Sequence, residues 1–282
     1  MKNTFNRSVI LITTILLVAG CSNKWEWLVT LPKPWMLSEA EISEILPEFQ
    51  THFPDFNERV KAFALWRVGT PYEIFKLGEE IEPDLDPIIR LDVSDCTGHV
   101  LTTLAFSQSQ DWGEARQKMI VIHYKEDEQG HKQPTYKSRW HFTADRITAN
   151  PNTVNMTQEL LPLDELALVE LTLNKKADGN EFLDLGWNRP IKLYYIPNEK
   201  ISADLLAKLP DVCVVSFVRK SCFELGIIFG HEGMIINNKK LIHASQSAGE
   251  TVLLDFLDYY FPEEGPIFDG IVISRFVPLS AH

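Results

Sequence analysis

Apolar positions change their period along the chain. Residues 8–19 form a mostly apolar run, whereas over about 38–49 and again over about 55–68 the apolar residues recur every three or four positions, the spacing of a helix with one buried stripe. Ser38, with Glu41 three residues on, has the form of a capping box. Thr70-Pro71 closes the second helix, because proline disfavours helical geometry in the residue before it. Val100, Leu101, Leu104, Ala105 and Phe106 resume helical spacing after Asp95, which puts Cys96 in a first turn, and 113–125 reads as a further helix feeding a strand. Beyond this the runs shorten. Residues 191–196, 212–218, 226–237, 240–244, 251–254 and 270–276 are short β-rich stretches between turn residues such as Asn237-Asn238, and such short connections imply mostly antiparallel pairing. Helices first and a strand meander later predict an α+β domain, with the helix that Cys96 opens packed on the sheet.

The first apolar run has a special context. Lys2 and Arg7 precede it and Leu17-Val18-Ala19-Gly20-Cys21 ends it, the pattern of a secretory signal closing on a lipobox. It is shorter than the roughly 20 residues a membrane-spanning helix needs. The expected organisation is a lipoprotein signal peptide over 1–20, a lipid anchor at Cys21 with a tether to residue 36, and one folded domain over 37–282. Acyl chains on Cys21 would hold the domain at a membrane surface. Ser22 in place of aspartate points to the outer membrane facing the periplasm, in a bacterial envelope of the enteric type. Pro32 and Pro34 bar a regular helix throughout the tether, and Trp25, Trp27 and Trp35 either meet the membrane interface or fold back on the domain.

Charge narrows the partners. The net charge of −12 becomes −14 once Lys2 and Arg7 leave, and no basic stripe is present, which argues against nucleic-acid binding. No Walker loop, dinucleotide fingerprint or EF-hand occurs, so no cofactor is expected.

The candidate chemistry begins at Cys96, in Ser94-Asp95-Cys96-Thr97-Gly98. A thiolate attacks and a thiol hardly does, so a helix N-terminus and a nearby imidazole are expected to lower the pKa of such a sulfur. His231 follows Gly230 at a strand start, and His243 lies on the next strand of the same expected hairpin, so the imidazoles can sit side by side. In that arrangement His231 is the general base and His243 orients it. His99 competes, being one turn after Cys96, yet it has no evident orienting partner. Asp95 is read as the cap of the helix, since a carboxylate at the thiol would oppose ionisation. A zinc site of Cys96, His231, His243 and His141 is the metal alternative, and it lacks the close-spaced ligand pairs of zinc enzymes, so no metal is expected. Cys213 and Cys222 are read as free thiols, with a disulfide between them as the alternative.

Three blocks of this sequence resemble the papain-like cell-wall amidases and peptidases of the NlpC type: Gly69-Thr70-Pro71-Tyr72, Asp95-Cys96-Thr97-Gly98, and Gly230-His231-Glu232-Gly233-Met234-Ile235 with Ile242-His243-Ala244-Ser245. Tyr136-Lys137-Ser138-Arg139-Trp140-His141-Phe142 and the ending Asp255-Phe256-Leu257-Asp258-Tyr259-Tyr260 are similar to the N-acetylmuramoyl-L-alanine amidase-like branch. The resemblance covers roughly residues 56–276. It implies a papain-like fold, with Tyr72 near the scissile carbonyl and Arg139 and His141 on the sugar or the peptide carboxylate of the substrate. The implied activity is hydrolysis between N-acetylmuramic acid and L-alanine in peptidoglycan or muropeptides. An endopeptidase cutting after D-glutamate and a non-catalytic lipoprotein that binds wall fragments are the alternatives. Two departures stand out: Glu232 occupies a usually apolar position after the histidine, and Gly98-His99 replaces a threonine-aromatic pair.

Overall fold

The computed structural model describes residues 23–279, so Cys21 and the apolar run before it lie outside the described residues. The chain begins with helices α1 (Lys24–Thr30), α2 (Glu39–His52), α3 (Phe56–Trp66), α4 (Cys96–Phe106), α5 (Trp112–His123) and α6 (Thr143–Ala149). Strand β1 (Thr153–Asn155), the one-turn helix α7 (Thr157–Leu160), β2 (Ala167–Leu173), β3 (Arg189–Pro197) and α8 (Ala203–Leu206) follow. The chain closes with β4 (Val212–Val218), β5 (Phe229–Ile236), β6 (Lys240–Ser245), β7 (Glu250–Asp255), α9 (Phe256–Tyr260) and β8 (Gly270–Phe276). The eight strands form one antiparallel sheet in the order β2-β3-β8-β4-β5-β6-β7, with β1 added beside β8.

Local chemistry sets the helix starts. Ser38 and Glu41 form the expected capping box, and Asp55 and Asp111 cap α3 and α5 through their carboxylates. Strand β4 is buried along its whole length because the sheet is covered on both faces. Its Val212 and Val214 pack with Phe49, Phe63 and Leu104 from the helical layer, while Cys213, Val215 and Phe217 pack with Leu205, Phe256 and Tyr260. The β5–β6 hairpin reverses at Asn237 and Asn238, with φ values of 52° and 54°, a left-handed geometry that asparagine tolerates better than most residues.

Residues 24–36, expected to form a tether, lie against the helices. Trp25 sits 4.9 Å from the Phe53 ring, Trp27 stacks 4.2 Å from His52, and Trp66 Nε1 donates to the Pro32 carbonyl at 2.8 Å. The tryptophans thus take the fold-back placement. Among the described residues no helix is long and apolar enough to cross a membrane. Cys213 and Cys222 are free thiols, the first buried and the second partly exposed.

Candidate active site

Backbone hydrogen bonds fix Tyr72 relative to Cys96. Gly69 N–H donates to Thr251 O, Thr251 N–H to Thr70 O and Tyr72 N–H to Gly249 O, each at 2.8 Å, so the segment is sewn to the start of β7. On its other side Ser94 N–H donates to Pro71 O at 2.9 Å and Glu73 N–H to Ser94 O at 3.2 Å. This ladder ends two residues before Cys96. Gly69 has φ +97°, and a Cβ there would lie 2.8 Å from the Trp35 ring, so glycine is required both for the turn and for that close approach.

Asp95 caps α4 as expected. One carboxylate oxygen accepts from Gly98 N–H at 2.7 Å and the other from Phe75 N–H at 3.0 Å. Beneath it lies the fully buried Arg67, which donates to His99 O, Ser94 Oγ and the hydroxyls of Thr102 and Thr103. These bonds tie the end of α3 to the first turns of α4.

Cys96 is the first residue of α4 and is partly exposed. Its electrostatics differ from expectation. Burial foremost, then the Asp95 and Glu232 carboxylates, push the thiol up to about 12, and the Glu232 N–H and the Thr97 hydroxyl only partly oppose them. The helix N-terminus is outweighed, because desolvation acts on the thiolate directly while the dipole contributes only a fraction of a charge. Burial and the two carboxylates therefore favour the thiol over the thiolate at Cys96.

The first turn of α4 meets β5 beside His231, where Thr97 Oγ1 donates to the carboxylate of Glu232, the residue after His231, at 2.6 Å. His231 Nε2 lies 2.8 Å from His243 Nδ1, which leaves His231 Nδ1 as the nitrogen available to a proton. The His231 ring stacks on Phe217 at 5.4 Å and on Phe268 at 6.2 Å, and Tyr259 lies 4.7 Å from the His243 ring. Burial, then the neighbouring His243 and Arg219, hold His231 at about 3, and burial holds His243 at about 4. Both imidazoles are thus held neutral at neutral pH.

These values predict a pH response. Folding depresses both histidines below their ordinary value of about 6.5, so the stability they contribute is complete above that pH and is lost as pH falls toward 4 and 3. The melting temperature should decline over that range. Alkylation of Cys96 by iodoacetamide should still be accelerating above pH 9; a plateau near neutrality would instead indicate a resting thiolate–imidazolium pair.

The sequence pattern marked Glu232 only as a departure and did not reveal its contacts. Its carboxylate is 1% exposed and accepts from Thr97 Oγ1 at 2.6 Å, Thr143 Oγ1 at 3.2 Å and Arg146 Nη2 at 2.5 Å. Arg146 is equally buried. The Arg146–Glu232 ion pair thus joins α6 to β5, and the Thr97 hydroxyl ties α4 to it beside Cys96.

Arg139 and His141 are not arranged as open receptors. Arg139 forks onto Glu79 at 2.6 and 2.7 Å and also donates to Asp84 at 2.7 Å and to Leu77 O at 3.0 Å, using four of its five N–H donors. It braces the loop whose Phe75 is held by Asp95. His141 Nε2 lies 2.6 Å from Tyr136 O. His99 is completely buried and neither ring nitrogen has a partner among the described residues, so it does not act as the base by reaching out to solvent or substrate. Among the described residues no group of three His, Cys, Asp or Glu is gathered at metal-binding distance, so the four residues of the zinc alternative do not form one.

A family model for AmiA-like proteins, described as N-acetylmuramoyl-L-alanine amidase-like, matches residues 63–265. The crystal structure of protein LPG0564 from Legionella pneumophila superposes with a TM-score of 0.67 at 20% identity, covering 86% of this chain and 97% of that one. An N-acetylmuramoyl-L-alanine amidase from Bacteroides uniformis superposes with a TM-score of 0.61 at 18% identity, covering 79% and 99%. At these identities the likeness is one of fold. No curated protein matches the sequence.

Proposed function

The chain belongs to the AmiA-like, N-acetylmuramoyl-L-alanine amidase-like family, and from that premise we propose that it is a papain-like cysteine amidase cleaving the amide between N-acetylmuramic acid and L-alanine in peptidoglycan fragments. The observation that carries this reading is that α4, which Cys96 opens, meets β5 through the Thr97–Glu232 hydrogen bond of 2.6 Å beside His231, itself hydrogen-bonded to His243 on β6.

In the proposed reaction Cys96 Sγ attacks the carbonyl carbon while its proton passes to His231 Nδ1. Negative charge moves to the carbonyl oxygen, where the Cys96 backbone N–H and the Tyr72 hydroxyl receive it. Burial keeps Tyr72 protonated, with Cys96 and Asp95 adding to the effect, so its hydroxyl remains a donor. The carbon–nitrogen bond then breaks, and the imidazolium returns its proton to the leaving amine of L-alanine. A thioester is left on Cys96, and water activated by the neutral His231 hydrolyses it to the free acid and the thiol. His243 holds His231 in the tautomer with Nδ1 open by accepting from Nε2–H.

Lipid attachment at Cys21 would confine this activity to a membrane face of the envelope; the lipobox pattern supports that placement.

The thioester is the feature to test. Acid quench of a reaction with an N-acetylmuramoyl peptide, followed by digestion and mass spectrometry, should find the muramoyl group on the Cys96 peptide. An adduct that ends in D-glutamate would assign an endopeptidase, and no adduct on Cys96 during turnover would remove the covalent route.

A further inference from the structure

Of the nine arginines in the described region, eight place their guanidinium groups on a protein acceptor. Arg219 is the ninth. Among the described residues no carboxylate, carbonyl or hydroxyl accepts from its guanidinium, although acidic residues outnumber basic ones 39 to 27 in this chain.

Its position is set by the fold. Arg219 directly follows β4, and its N–H donates to Ile228 O at 2.9 Å, which brings it across from the start of β5. The side chain lies over Gly230: a Cβ there would be 3.0 Å from Arg219 Cδ and Nε, so the glycine before His231 leaves room for the arginine. The guanidinium carbon stands 5.1 Å from the centre of the Phe268 ring, the same ring that stacks on His231. One aromatic side chain thereby supports both the base and the cation. Stacking orients the planar fork, and a fork with open N–H donors suits bidentate binding of a carboxylate.

We propose that Arg219 binds a free carboxylate on the peptide that leaves the scissile amide. This rests on the amidase reading, because His231 hands its proton to the leaving nitrogen and the leaving peptide must therefore pass beside it. In a wall peptide the residue after L-alanine is a D-glutamate linked through its side chain, so its α-carboxylate is free. Arg139, the alternative cation, already has its fork closed on Glu79.

The test compares N-acetylmuramoyl-L-alanyl-γ-D-glutamate with the same compound bearing an α-amide. The wild-type chain should favour the free carboxylate by roughly 10- to 100-fold in kcat/KM, the range expected for a charge-assisted bidentate contact. Arg219→Gln should bring the ratio near one, and Arg219→Lys should fall between, since it keeps the charge without the fork. Equal use of both substrates by the wild type, or an unchanged ratio in Arg219→Gln, overturns the proposal. Calorimetry with the product L-alanyl-γ-D-glutamate gives a reading free of turnover: Arg219→Gln should weaken binding about tenfold or more, and unaltered binding overturns the site. Arg219-dependent binding without cleavage of either substrate would leave the carboxylate site standing and remove the amidase reading.

Discussion

Cys96→Ala and His231→Ala should each lower amide hydrolysis by roughly 10³-fold or more, and the double replacement should cost little beyond either one. The reason is the neutral ground state. In the proposed reaction, with the thiol raised and the imidazole lowered, neither group is reactive alone, and the nucleophile forms only as its proton crosses to His231. Removing the base leaves a thiol that stays protonated at neutral pH; removing the sulfur leaves a base with nothing to activate. A His243→Ala variant should be less impaired, because in the proposed reaction His243 acts only through its hydrogen bond to His231. Initial rates on one N-acetylmuramoyl peptide across these variants check the ordering. Additive losses in the double variant would mean that the two residues act independently.

The second large effect concerns stability. Glu232→Leu restores the apolar residue usual at that position, yet here it should destabilise the fold by about 3–5 kcal/mol, because Arg146 would be left buried with its charge uncompensated. Replacing Glu232 and Arg146 together by leucine should recover most of that loss, since apolar residues of similar volume commonly replace a buried ion pair at little net cost. Denaturant unfolding of the three variants measures the coupling. The double variant should also ionise Cys96 more readily, as one of the two carboxylates that hold its proton is gone. If Glu232→Leu alone proves neutral, the pair contributes nothing to holding α4, β5 and α6 together.

Much of this architecture is legible in the sequence where a local rule acts undisturbed. Ser38, Asp55 and Asp95 announce their helices because each carboxylate or hydroxyl satisfies a backbone donor a few residues on. Strands β4 and β8 are evident as apolar runs because both faces of the sheet are covered. Strand β2 carries polar residues, Glu170 and Thr172, among its apolar ones, and Leu168 and Glu170 stay exposed, so its pattern is weak. Helix α6 is missed for a different reason. Its Asp145 and Arg146 look like surface charges, and they are buried only because Lys125, Arg189 and Glu232 reach them from distant parts of the chain.

The site divides in the same way. Residue type and spacing are enough to place Cys96 at a helix start and His231 and His243 on one hairpin, since helix start and hairpin are local features. The state of the thiol is not local. It depends on burial and on Glu232, 136 positions from Cys96, which no periodicity reports. The closed fork of Arg139 on Glu79 and the open one of Arg219 are likewise tertiary facts.

Product analysis on an intact N-acetylmuramoyl peptide, with the described chain and its Cys96→Ala variant side by side, tests the central claim most directly. The active chain should release a peptide whose new N-terminus is L-alanine, together with a sugar bearing a free lactyl carboxylate, and Cys96→Ala should release neither. Cleavage of sugar-free peptides after D-glutamate, or release of L-alanyl peptide undiminished in Cys96→Ala, would contradict it.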